Sequence, residues 1–88
     1  MSYFKMLNKA IDKKKFSLNQ ICFQLAKRDI WLDRAILSKM KNGKVPPAKD
    51  ELNKALAEIL DLDPNEFRVA AIKETITDDL FELIRSAK

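Results

Sequence analysis

The sequence predicts a compact all-α domain of five to six helices, and three observations predict it. Apolar residues recur three and four positions apart along most of the chain, the spacing that gathers them on one face of a helix. The single Gly and the three Pro of the 88 residues stand between these apolar runs and not inside them. No segment shows the strict alternation of a half-buried strand. At this length one domain is expected, and 47% apolar with 34% charged residues is the composition of a folded helical chain.

The first helix is expected over residues 3–13, "YFKMLNKAIDK", with Phe4, Leu7 and Ile11 on one face and Tyr3, Met6 and Ala10 beside them. The run Lys13, Lys14, Lys15 leads to Ser17, which can cap a second helix while Gln20 reaches back to the cap nitrogen. Leu18, Ile21, Cys22 and Leu25 form its inward stripe. The pattern blurs through "KRDIWL" until Asp33, an N-cap that opens a third helix anchored by Leu37 and Met40. Gly43 can take the left-handed conformation that closes a helix, and Pro46-Pro47 prevents continuation.

A fourth helix is expected from Lys49 or Asp50 to Leu60, with Leu52, Ala55, Leu56 and Ile59 as its stripe. In "DLDPNEF" Asp63 caps, Pro64 occupies the first helical position and Glu66 completes a capping box, opening a short fifth helix through Phe67, Ala70 and Ala71. A sixth helix is read in "TITDDLFELIRSAK". Thr75 or Thr77 is its cap, Asp78 and Asp79 fill its first turn, Arg85 and Lys88 lie near its end, and its stripe is Ile76, Leu80, Leu83 and Ile84. The fifth and sixth helices can also be one broken rod.

Cys22 is the only cysteine and there is no histidine, so an intrachain disulfide is excluded and thiolate or imidazole metal chemistry starts without its ligands. No cofactor is expected, and no catalytic activity. The acidic pair Asp78-Asp79 is explained by its place at a helix start, where carboxylates favour the dipole. No apolar run approaches a membrane span and "MSYFKMLNKA" carries no export signal, so a cytoplasmic location is expected. The charge is two-ended: residues 1–49 sum to +9 and residues 50–88 to −5. Such a basic half is either a solvated face or a surface for a polyanion, nucleic acid above all.

A capped second helix, "FSLNQICFQLAK", precedes the segment "AILSKMKNGKVPPAKDELNKALAEILDLDPNEF". In order and spacing, residues 3–71 resemble the phage-repressor and Cro-like family of helix-turn-helix DNA-binding regulators. The connection from Leu25 to Asp33 is longer than the tight turn usual in that family and resembles a subgroup with an extended loop before the recognition helix. Ala35 and Ile36 stand where that subgroup carries Ser and Tyr, and Lys49 stands where a capping Ser is usual. The resemblance implies a helix-turn-helix DNA-binding domain over residues 1–72 and, over 73–88, a C-terminal helix that closes the core or pairs with its copy in a homodimer. It also implies a place for Cys22 as a small hydrophobe where the second helix packs closely on the third.

The expected partner is double-stranded DNA, read in the major groove by residues 34–42. With Leu37 and Met40 inward, Arg34, Ala35, Ser38, Lys39 and Lys41 face outward. Arg34 and Lys39 suit guanine O6 and N7, and Ala35 and Ile36 suit thymine methyls, although Ile36 is equally placed for core packing. Ser17, Asn19 and Gln20 at the second helix, Asn42 and Lys44 around the glycine, and Lys49 at the fourth helix are candidate phosphate contacts. Trp31 is expected to plug the long loop onto the core. The competing reading is a protein–protein interaction module on the same fold that modulates another regulator.

Overall fold

The structure is a computed structural model that describes residues 2–86, with side chains for 2–76 and for Leu83. The chain forms α1 (Tyr3–Lys14), α2 (Leu18–Ala26), α3 (Arg34–Lys41), α4 (Asp50–Ile59) and α5 (Pro64–Ser86), with no strand among the described residues. α4 packs on α5 and α2, α1 packs on α5 and α3, and α2 packs on α3.

Most helix starts are secured by side chains. Ser2 Oγ accepts from the Lys5 N–H, and Asp33 Oδ1 accepts from the Ala35 N–H at 2.7 Å. Asp63 Oδ1 accepts from both Asn65 and Glu66 N–H groups. Ser17 and Gln20 form the expected reciprocal capping box. α4 has no such cap, since Lys49 at that position carries no acceptor.

The helix ends share a device that the sequence shows openly only once. After α2, α3 and α4 the chain turns through a left-handed residue, and the next N–H donates five residues back: Ile30 to Leu25, Lys44 to Lys39, and Leu62 to Ala57. This is the hydrogen bond that closes a Schellman ending. The left-handed residue is Gly43 after α3, but Asp29 after α2 and Asp61 after α4.

The core joins all five helices through Tyr3, Leu7, Ile11, Ile21, Leu25, Leu37, Met40, Leu56 and Phe67, with small residues such as Ala57 and Ala71 buried among them. The Tyr3 ring lies stacked on Phe67 at 4.7 Å between centroids. Its hydroxyl donates to Asn53 Oδ1 at 2.6 Å, and Asn53 Nδ2 donates to the Ala48 carbonyl at 2.8 Å. One buried polar relay therefore ties the start of α1 to α4 and to the Pro46–Lys49 connection. Burial pushes the Tyr3 pKa up to about 12, with a backbone hydrogen bond at Ala48 opposing the shift.

Two expectations change. Residues 64–86 form one helix and not two, so the expected boundary at residues 72/73 falls inside it. Thr75 lies in the interior of this helix, where its hydroxyl donates to the Ala71 carbonyl four residues back, and it caps no new helix. The expected roles of Thr77, Asp78, Asp79, Leu80, Ile84, Arg85 and Lys88 concern side chains outside the described set. Trp31, expected on the core, is 83% exposed. Its neighbours Ile30 and Leu32 are the ones packed against the core.

Candidate functional site

An eight-residue helix is too short to hold itself in water, so the direction in which α3 points is set by what grips it. Leu37 and Met40 are buried and fix its inner side. At its start Asp33 supplies the cap; at its end Gly43 closes the turn at φ +68° and faces the Phe4 ring of α1. A further clamp comes from Asn8 of α1, whose Nδ2 donates to the Lys41 carbonyl at 2.6 Å and to the Phe4 carbonyl at 2.9 Å. That bond satisfies one of the carbonyls a helix end leaves open.

With Leu37 and Met40 inward, Arg34, Ala35, Ile36 and Lys39 are exposed. Ser38 and Lys41 are half-buried, so the outward surface is narrower than the sequence suggested. Among the described residues no carboxylate pairs with Arg34, Lys39, Lys41, Lys44 or Lys49; the ion pairs found are Lys14 with Asp61, Arg28 with Glu58, and Arg68 with Asp50. The cations of this surface are therefore available to a ligand, while those elsewhere are partly used.

The two flanks of α3 differ. At about 100° per residue, Ile36 and Lys39 lie toward one side and Arg34 and Lys41 toward the other. On the Ile36 side an open, mostly apolar groove of about 360 Å³ runs between α3, the Ile30–Leu32 loop and the start of α4; Ile36 and Lys49 both line it. The structure thus brings Lys49 close to α3. Asn42 and Lys44 are exposed just past the helix end.

Ser17, Asn19 and Gln20 are also exposed, at the start of α2. The capping box uses Ser17 Oγ as acceptor at 3.1 Å and Gln20 Oε1 as acceptor at 2.8 Å. What remains is the Ser17 hydroxyl proton and the Gln20 amide N–H groups, and those are donors suited to an anion. On the same outer face of α2, Phe23 is exposed and Lys27 Nζ lies 4.9 Å from its ring centroid.

Cys22 is half-buried and packed against the core. Burial raises its pKa, the nearby Asp33 carboxylate adds to that, and Arg34 works against both. The two causes that raise it both favour the protonated thiol, which suits a packing residue. Among the described residues no group of three or more Cys, Asp or Glu side chains is placed to hold a metal ion, and no helix is long and apolar enough to cross a membrane.

Sequence reading missed Asn8, Asn53 and the exposed Trp31. The two asparagines reach partners 33 positions away and 50 positions away, and no local pattern reports such contacts. For Trp31 a signal did exist, in the apolar residues on both sides of it. No family model matches this chain, and neither does any curated protein or solved structure.

Proposed function

We propose that the chain is a sequence-specific DNA-binding regulator of the phage-repressor-like helix-turn-helix type, without catalytic activity, which lays α3 in the major groove of double-stranded DNA. The observation that carries this reading is the state of α3: Leu37 and Met40 buried, Arg34 and Lys39 exposed and unpaired with any described carboxylate. A groove that admits one helix offers guanine acceptors to those two cations and thymine methyls to Ala35 and Ile36. Ser38 and Lys41, half-buried, serve at the edge. Asn42, Lys44 and Lys49, with Ser17, Asn19 and Gln20, take phosphates and so position the helix without reading sequence.

Titration of a labelled duplex at several salt concentrations tests this. Five or six phosphate contacts give a slope of log K against log[salt] of about −5. Arg34→Ala with Lys39→Ala is expected to abolish discrimination between a selected site and random duplex while leaving the chain folded. Discrimination that survives the double substitution removes α3 from the reading role.

A second reading is favoured by a separate observation. Trp31 is 83% exposed in the loop whose Ile30 and Leu32 line, with Ile36, an open apolar groove, and an exposed aromatic on a loop that also edges an apolar cleft suits a protein-binding surface. Here the fold serves as an interaction module that modulates another regulator. Absence of salt-sensitive duplex binding, together with a shift of the single Trp fluorescence on adding a partner protein, would favour it.

A further inference from the structure

The apolar groove beside α3 takes Ile30 and Leu32 from the loop, Ile36 and Met40 from α3, Pro46 from the connection and Leu52 from α4. Met40 is buried, Ile30, Leu32 and Leu52 are half-buried, and Ile36 and Pro46 are exposed. Its charged liners are Lys49 and Glu51, together at the start of α4. A volume of about 360 Å³ falls at the low end of small-molecule sites, but such sites enclose their ligand and converge several polar groups on it. This groove is open, and its charged groups stand at one end. A metabolite or an acyl chain would keep much of its surface in water there, whereas apolar side chains projecting from a polypeptide need only be covered at their tips.

The charges around the groove say what else that polypeptide carries. Residues 36–52, which build its α3 and α4 sides, hold Lys39, Lys41, Lys44 and Lys49 against Asp50 and Glu51, and Asp50 is taken by Arg68. Lys39 is one helical turn from Ile36 on the same flank of α3. Lys39, Lys44 and Lys49 are exposed, and no described carboxylate pairs with them. The loop side, residues 29–33, has the opposite sign, with Asp29 and Asp33 and no cation. Charge complementarity thus both selects an acidic ligand and orients it, carboxylates toward α3 and α4 and away from the loop.

We propose that this groove holds an acidic segment of a partner protein, with its apolar side chains between Ile36 and Leu52 and its carboxylates against Lys39, Lys44 and Lys49. The proposal rests on the reading of the fold as an interaction module and supplies it with a site and a partner chemistry. It also connects that reading to the first. Ile36, Lys39, Lys44 and Lys49 are the side chains assigned there to DNA, so a seated partner and a duplex exclude one another.

A phage-displayed library of random 16-residue peptides, panned on the full chain, tests it. Enriched peptides are expected to set apolar residues beside Asp or Glu, and synthetic copies to bind with Kd of about 10–100 μM and to displace a labelled duplex. Ile36→Asn and Pro46→Ser, both at exposed positions and checked for folding by circular dichroism, are expected to weaken the peptide about three- to tenfold without changing the charge. Lys39→Glu with Lys49→Glu is expected to cost about tenfold or more. Lys9→Glu with Lys13→Glu, the same charge change at a different groove beside Leu60 and Leu62, is expected to cost far less. Peptides indifferent to Ile36→Asn and Pro46→Ser overturn the groove and leave the interaction reading standing. Equal losses from the two lysine pairs, enriched peptides without acidic residues, or a groove that binds oleate and no peptide overturn the partner's chemistry. A peptide-bound chain that holds its duplex unchanged overturns the exclusion. No enrichment at all, alongside salt-sensitive duplex binding, removes the interaction reading together with the groove.

Discussion

α3 and α5 both present surfaces that the domain does not use for its own core, and they are built in opposite ways. α3 has eight residues and is held from outside itself by a cap, a left-handed stop, the Asn8 amide and two buried side chains. Its free face is cationic. α5 has 23 residues and carries its own hydrogen bonds past the end of α4, and Val69, Ile72, Ile76 and Leu83 are exposed along it. A short helix gripped at several points holds its side chains at fixed positions, which is what recognition of a polar surface requires. A long helix with exposed apolar side chains retains an unfavourable contact with water.

The sharpest way to break this contrast is to truncate one leucine on each helix. Leu37 is fully buried under α3, and Leu37→Ala is expected to cost about 2–5 kcal/mol through lost burial and the cavity left behind. Leu83, 65% exposed, should cost less than about 0.5 kcal/mol on replacement by Ala when the chain is monomeric. Urea denaturation at low protein concentration measures both. Equal losses would show that α5 depends on its outer face for folding, and the comparison would no longer hold.

The next largest effect lies in the Tyr3–Asn53–Ala48 relay, which fixes the connection between α3 and α4. Asn53→Ala takes away the acceptor of the buried Tyr3 hydroxyl and the donor to the Ala48 carbonyl and should cost about 2–3 kcal/mol. The same relay has a pH signature. The folded Tyr3 pKa, pushed up to about 12, exceeds the ordinary tyrosine value near 10. Its stabilisation is thus complete below about pH 10 and is lost between pH 10 and 12, at about 1.4 kcal/mol per unit. Tyr3→Phe removes that dependence. Urea midpoints of the two proteins should therefore converge as pH rises from 8 to 11, and a constant gap would show that Tyr3 is not held neutral by burial.

What could be read from the sequence divides along the same line. The grips made by near neighbours were legible: the Ser17–Gln20 box, the Asp33 and Asp63 caps, and the Gly43 stop each combine a residue type with a spacing of a few positions. The inward pairs Leu37/Met40 and Leu56/Ile59 were legible for the same reason. Long-range grips were not, because Asn8 and Asn53 are ordinary polar residues until folding brings Lys41 and Ala48 to them. The sequence left two helices or one rod open over the C-terminal residues because Thr75 suits a cap as well as a helix interior, and the chain forms one helix over 64–86, with the Thr75 hydroxyl bonded back to Ala71. Of the candidate site, the identity of the exposed cations on α3 was readable, whereas the half-burial of Ser38 and Lys41 depends on neighbours distant in sequence.

Gly43 offers a smaller test of how firmly α3 is stopped. A Cβ there would lie 3.8 Å from the Phe4 ring, an ordinary contact, so the cost of Gly43→Ala comes from the backbone at φ +68° and not from a clash. It should be about 1–2 kcal/mol, the penalty of a left-handed conformation for an L-residue. Thermal unfolding of the variant checks it. A much larger loss would mean that Phe4 cannot accept the methyl group and that α1 takes a greater part in placing α3.

The smallest effect tests the stops that the sequence concealed. Asp29 and Asp61 sit at φ 59° and 57°, where aspartate is tolerated but glycine is free of strain. Asp61→Gly keeps the Leu62 to Ala57 hydrogen bond and gives up only a long, exposed pairing of the Asp61 carboxylate with Lys14 at 3.8 Å. Exposed pairs of that kind contribute little. The substitution should therefore raise stability by a few tenths of a kcal/mol up to about 1 kcal/mol, after the greater flexibility of glycine in the unfolded chain is subtracted. Asp29→Gly should behave alike, because Asp29 closes α2 with the same geometry and forms none of the ion pairs found among the described residues. If both substitutions destabilise, the aspartates contribute more than a tolerated conformation. The loop that carries Trp31 toward α3 would then owe its shape to the Asp29 side chain as well as to its backbone.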